Sequence, residues 1–286
     1  MKKFIKALAL ALTAVVCFAV AGCGAKKDEV KVLETICLTE ESYAFAINKN
    51  DTALKESIDE IIGEMKADGS LDTLIESYFN GESTFTYENK TATEQAGDFV
   101  MATNAYFPPF EYYQGDKFTG VDVEIASIIA TKLGKTLYVK DMEFDSIIPE
   151  VMNGSGVVGM AGMTVTEKRL SQVNFAVSYY TSAQVITVQK GDTTFDGCTT
   201  AEEVEAILAS KNSKYKVGTQ KGTTGYMYSA GDEDFGYDGF KNLTTKSYDT
   251  GALAITDLSN GKINAVILDL QPSLMISKSI NANFKK

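Results

Sequence analysis

Arg169 is the only arginine in the chain, every other one of its 27 basic residues being lysine. A guanidinium is a planar fork of N–H donors that grips a carboxylate through two bonds, which the point charge of a lysine does not do. Arg169 ends the stretch Gly162-Met163-Thr164-Val165-Thr166-Glu167-Lys168-Arg169, directly after an expected strand, where an open α/β sheet keeps its ligand crevice. Taken alone, it reads equally well as a surface charge paired with Glu167. Farther on, Gly222-Thr223-Thr224-Gly225 opens an expected helix, whose free N–H groups and dipole favour an anion. The chain has no histidine, which excludes Ser-His-Asp and Cys-His catalysis and His-ligated metals. Any enzyme built from it must work with carboxylates, Lys, Tyr or Cys. Gly154-Ser155-Gly156-Val157-Val158-Gly159 satisfies a dinucleotide-binding glycine pattern, but that fingerprint needs a strand before and a helix after it. Here the order is reversed, so the glycines are read as a tight turn.

The elements that must position these groups follow from hydrophobic periodicity. Val30 to Leu38 and Tyr43 to Ile47 read as extended. Leu54, Ile58, Ile61, Ile62 and Met65 fall at helical spacing, with Asp51 as start signal and Gly69 as stop. Leu71, Leu74, Ile75, Tyr78 and Phe79 make a second helical stripe. Glu82 to Gly97 is polar and reads as a linker. From Phe99 onward strands alternate with helices: strands Phe99 to Thr103, Thr136 to Lys140, Val158 to Ala161, Gln184 to Val188, Tyr215 to Thr219 and Ile263 to Leu268. Such alternation predicts parallel sheets covered by helices, in two α/β lobes. A length of 286 residues, 44% hydrophobic and 23% charged, fits two domains around a cleft.

Several motifs carry a family resemblance: Asn104-Ala105-Tyr106-Phe107-Pro108-Pro109-Phe110-Glu111-Tyr112, Gly120-Val121-Asp122-Val123-Glu124, Phe144-Asp145-Ser146-Ile147-Ile148-Pro149, Gly162 to Arg169, Gly222 to Gly225, and Ala265-Val266-Ile267-Leu268-Asp269. In this order and spacing, over Phe99 to Lys286, they resemble the polar amino acid-type extracellular solute-binding proteins of ABC importers, family 3. The resemblance implies a two-lobed periplasmic-binding-protein-like α/β fold with hinge strands and no catalytic residues, metal or cofactor. By the family pattern, Arg169 clamps a ligand α-carboxylate with the backbone N–H groups of Thr164 and Thr224. Asp269 pairs with the α-ammonium, helped by the Thr164 hydroxyl and the Gly162 carbonyl. Phe107 and Phe144 sandwich the ligand side chain, with Asn104 and Gln220 near its tip. The partners implied are an amino acid, an ABC permease and an ATPase, for a monomeric binding protein. Val157 departs from the Asp usual before the third strand, and Asn104 from the Asp common in members that bind cationic side chains. The aromatic pair with two amides suggests an uncharged or polar side chain. A ligand-binding sensor lipoprotein, and an enzyme resembling cyclohexadienyl dehydratases, are the alternatives on the same fold.

The segments stand in an unusual order for that family. Members end with a return strand and two helices resembling Thr39 to Gly81, with Ser42 to Ile47 as second hinge strand; here that ending comes first. The chain is therefore expected to be circularly permuted, with lobe I over 45–186 and lobe II over 187–286, completed by 30–44. Residues 1–22, with Lys2, Lys3, Lys6 and the apolar run Ala7 to Val20, resemble a lipoprotein signal cleaved before Cys23, which would carry a diacylglycerol and tether the chain outside the membrane. The net charge of −11, more negative after cleavage, argues against nucleic acid as partner. Cys37 and Cys198 remain as a possible disulfide pair or as two small buried thiols.

Overall fold

The computed structural model describes residues 27–284, so the signal segment and Cys23 lie outside the described residues. Two five-stranded sheets form the two lobes. The first runs Asn174–Phe175, Ala46–Ile47, Val157–Gly159, Phe99–Thr103, Leu137–Asp141. The second runs Val30–Val32, Gln184–Gln189, Ala265–Asp269, Lys216–Gln220, Thr244–Tyr248. In both sheets the first two pairings are antiparallel and the last two parallel. All five residues of Phe99–Thr103, and all five of Ala265–Asp269, are buried. Such runs, apolar on both faces, belong to strands covered by helices on each side.

The chain passes between lobes twice. Glu41–Tyr43 and Tyr180–Ser182 pair antiparallel as a separate two-stranded hinge. The extended reading of Tyr43 to Ile47 thus splits: Tyr43 ends the hinge strand, and Ala46–Ile47 inserts into the first sheet. A lobe boundary at 186/187 would cut the strand Gln184–Gln189, which belongs wholly to the second sheet; the crossover lies at Tyr180–Ser182. Helices Thr52–Ala67 and Ser70–Phe79 lie on lobe I, burying Ile58, Ile61, Ile62, Met65, Leu71, Ile75 and Tyr78. Gly69, at φ 77°, makes the left-handed turn between them, a conformation that costs other residues about 1 kcal/mol or more.

Several short or exposed elements escape the sequence periodicity, Asn174–Phe175 and Tyr180–Ser182 among them. Tyr106–Phe107, Glu111–Gln114 and Lys117–Thr119 form a small antiparallel sheet. Strands of two to four residues are too short to display alternation. Thr244–Tyr248 is an edge strand with no buried residue, so it carries no apolar signal. The segment read as a linker is tied down along its length. Tyr87 exchanges backbone hydrogen bonds with Phe118, and the Asn89 amide bonds both backbone groups of Val139. Cys37 and Cys198 are free thiols, Cys37 exposed and Cys198 half-buried, so neither the disulfide nor a pair of fully buried thiols forms. Among the described residues no helix is long and apolar enough to cross a membrane.

Candidate functional site

The two lobes face each other across one cavity lined by Asn104, Phe107, Glu111, Phe144, Ala161, Gly162, Thr164, Arg169, Gln220, Thr223, Thr224 and Asp269. All nine ligand-contact residues expected from the sequence are in that lining. The lobes are close together, and the space left between them is about that of one water molecule. A ligand of amino-acid size therefore enters as the lobes part about the hinge.

Arg169 lies on the short helix Glu167–Gln172, whose cap Thr166 accepts the Arg169 N–H. Its guanidinium is buried, 6% exposed, and donates to two carbonyls, Thr164 O at 2.6 Å in its own lobe and Gly222 O at 3.2 Å across the cleft. The Phe144 ring lies 5.4 Å from it and the Phe235 ring 6.0 Å. Burial pulls its pKa down to about 10, partly offset by the charges of Glu41 and Asp269. A buried cation whose hydrogen bonds go only to neutral carbonyls keeps donor capacity for a carboxylate brought against it. The helix Thr224–Ala230 has seven residues, so its dipole adds little to the field of the guanidinium.

Asp269 is the last residue of its strand and the cap position of helix Leu270–Ala282, yet its side chain makes no cap bond. It accepts instead from the Tyr43 hydroxyl. Burial, and then the charge of Glu41, pushes its pKa up to about 7. A cation brought against it would relieve both penalties. Gly162, at φ 52°, is held by its N–H donating to Asp122 Oδ2 at 3.0 Å. A Cβ there would stand 2.8 Å from Phe107 Cε1, so only glycine fits beside that ring.

At the opposite end, Asn104 donates from Nδ2 to Met142 O at 2.9 Å, which leaves its Oδ1 facing the cleft. Gln220 Nε2 donates to that Oδ1 across the lobes at 2.9 Å, and Gln220 Oε1 is buried without a partner. Because a backbone carbonyl fixes the first amide, the polarity of the second follows, and this end presents acceptors.

The sequence reading missed Glu111 in the cavity lining and, packed around the site, Glu41, Tyr43, Gln184 and Asp122. Tyr43 and Glu41 are two apart on one strand and so point the same way. Glu111 lines the cavity fully buried, with both carboxylate oxygens unpartnered. Burial and the neighbouring charge of Asp122 hold its pKa well above the usual carboxylate range, while burial brings Asp122 up to about 7. Two buried acids side by side keep at least one proton between them at neutral pH. Along the sequence Glu41 and Tyr43 carry no mark of a site, and Glu111 and Asp122 lie inside the quoted motifs without a role read from them. Among the described residues, no cluster of acidic or cysteine side chains could hold a metal ion.

A fold of two α/β lobes on a double hinge, with an arginine and an aspartate lining one interlobe cavity, defines a solute-binding protein that closes on its ligand. Residues 99–266 match the model of the bacterial extracellular solute-binding proteins, family 3, and the chain belongs to that family. The arginine-binding extracellular protein ArtP of Bacillus subtilis (strain 168) is 40% identical over 91 residues, 32% of this chain and 36% of the relative. A putative ABC transporter arginine-binding protein 2 of Escherichia coli (strain K12) is 31% identical over 170 residues, 59% of this chain and 62% of the relative. The chain thus spans between about a third and two thirds of the length of these curated relatives. Among solved structures, the ancestral amino acid-binding protein AncCDT-1, a precursor of cyclohexadienyl dehydratase, is 25% identical with a TM-score of 0.55, over 64% of this chain and 75% of the other.

Proposed function

We propose that this chain is the capturing component of an ABC importer, that it holds an L-amino acid between its lobes, and that its ligand side chain is a hydrogen-bond donor. The observation that carries the reading is Arg169: the sole arginine, buried at the cavity, bonded to carbonyls rather than carboxylates. It takes the α-carboxylate; Asp269 takes the α-ammonium. Phe107 and Phe144 line the path of the side chain, and the acceptors of Asn104 and Gln220 meet its N–H groups. Arginine-binding relatives agree with a donor side chain. They favour a cationic ligand as well as the uncharged polar one that Asn104 suggests. Removal of the guanidinium in Arg169→Ala should abolish binding of L-arginine and L-glutamine in titration calorimetry; affinity retained within about threefold excludes the carboxylate role.

The chain order supports a circular permutation. Val30–Val32 pairs with Gln184–Gln189 in the second sheet, and Asn281 bonds both backbone groups of Val30 at 2.9 and 2.8 Å. The segment that completes the usual order thus lies beside the last helix. The matched family region begins at residue 99, with the helices over 52–79 outside it. The lipoprotein signal at 1–22 and diacylglycerol on Cys23 would tether the protein outside the cell membrane, as a monomer serving a permease and ATPase. A second reading, an enzyme like the dehydratase descended from AncCDT-1, draws on the proton held by Glu111 and Asp122 in the cavity wall. Formation of an aromatic product from prephenate or arogenate would decide for it.

A further inference from the structure

We propose that Glu41 is a latch between the lobes, a positioning residue that does not touch the ligand but stabilises the closed cleft; this rests on the reading of the cavity as the ligand site. Glu41 comes from the hinge strand and is 3% exposed. Its Oε2 accepts the Thr164 hydroxyl of lobe I at 2.6 Å and the Thr224 hydroxyl of lobe II at 2.9 Å, with Gln184 Nε2 at 3.4 Å. Its Oε1 accepts the Thr39 hydroxyl at 3.0 Å. It is absent from the cavity lining but lines the groove behind Thr164 and Thr224, together with Tyr237. Glu41 therefore stands behind the two threonines, on the side away from the ligand.

One oxygen can hold hydroxyls of two lobes only while the lobes are together. Opening breaks at least one of two charge-assisted bonds, which are stronger than bonds between neutral groups. The same contacts set polarity. With its proton committed to Glu41, the Thr164 hydroxyl turns lone pairs to the cavity, where an ammonium needs acceptors; the Thr224 hydroxyl, which also accepts from Gln184 Nε2 at 3.2 Å, is held outward and leaves its backbone N–H as the donor. The latch is thus engaged by closure and simultaneously prepares the clamp.

The test uses the full chain with Cys17, Cys23, Cys37 and Cys198 replaced by serine and spin labels at Lys135→Cys on lobe I and Lys214→Cys on lobe II, read by pulsed electron resonance without ligand. Glu41→Gln is expected to lower the fraction at the closed distance about tenfold. Thr224→Val, which keeps side-chain shape, should reproduce the fall alone and add little in the Glu41→Gln background, because one variant removes the donor and the other the negative charge of the same contact. L-arginine should also dissociate about tenfold faster from either variant, with its association rate unchanged. An unchanged closed fraction, or additive losses, overturns the latch. So does an E41Q protein that holds L-arginine more tightly, which would make Glu41 a competitor for Arg169. Should E41Q not fold, by its melting curve, the Thr224→Val closed fraction decides. Failure of the parent to bind L-arginine counts against the ligand reading and leaves the ligand-free measurement to decide the latch.

Discussion

Replacing Asp269 by asparagine should stabilise the ligand-free protein while removing its affinity, and the size of each effect follows from the site. The Asp269 carboxyl is 3% exposed and its pKa is pushed from 3.8 to about 7 by burial and by Glu41. For an acid raised in this way the sign is unfavourable. Its cost to folding is absent below the unfolded pKa, grows as pH rises, and is complete once pH passes the folded value. From pH 5 to pH 8 about two pKa units are crossed, so the advantage of Asp269→Asn should widen by roughly 2–3 kcal/mol. In a protein of this size that is about 5–10 °C in melting midpoint. The amide oxygen still accepts from Tyr43, so the bond across the hinge is kept. Calorimetric melting of both proteins at the two pH values measures the difference. Titration with L-arginine at pH 8 should show about a hundredfold loss or more, since the ammonium loses a buried counter-charge. A variant that melts lower than the parent at pH 8, or a gap that narrows as pH rises, refutes the reasoning.

Gly222→Ala should hinder closure more than folding. Gly222 sits at φ 74°, and a Cβ there would meet Asp145 Cβ of the other lobe at 3.0 Å. A loss of about tenfold or more in amino acid affinity is expected against about 1 kcal/mol in stability, read by titration and urea unfolding. Gln220→Glu offers carboxylate oxygens at the side-chain end and breaks the donation to Asn104. It should favour L-arginine over L-glutamine relative to the parent, and an unchanged ratio by thermal shift would place the ligand side chain elsewhere.

What the sequence revealed of the site depended on residues whose type is informative wherever they lie. A lone arginine, the Gly222–Gly225 turn and two phenylalanines inside ordered motifs all line one cavity. Glu41 and Tyr43 were silent because their role exists only when a second lobe comes against the hinge; along the strand they are a charge and an aromatic like any other. Glu111 was silent for another reason. A single glutamate between Phe110 and Tyr112 resembles a solvated charge at a strand edge, and only burial together with the neighbouring Asp122 gives it a raised pKa. The alternation of strands and helices predicted both lobes, while the short strands Tyr106–Phe107 and Lys117–Thr119 lay below the length at which a period can be seen.

Lobe I is one uninterrupted stretch of chain, from the hinge crossing at Glu41–Tyr43 to the return at Tyr180–Ser182. Lobe II is not: its strand Val30–Val32 must wait for Gln184–Gln189, and the clasp on Val30 waits for Asn281. During synthesis lobe I can finish folding while its neighbour exists only as an orphan first strand, whose edge stays open to wrong partners until nearly the whole chain has emerged. The slow step in making this protein is therefore expected to be the completion of lobe II from its two separated segments, with lobe I already formed and waiting.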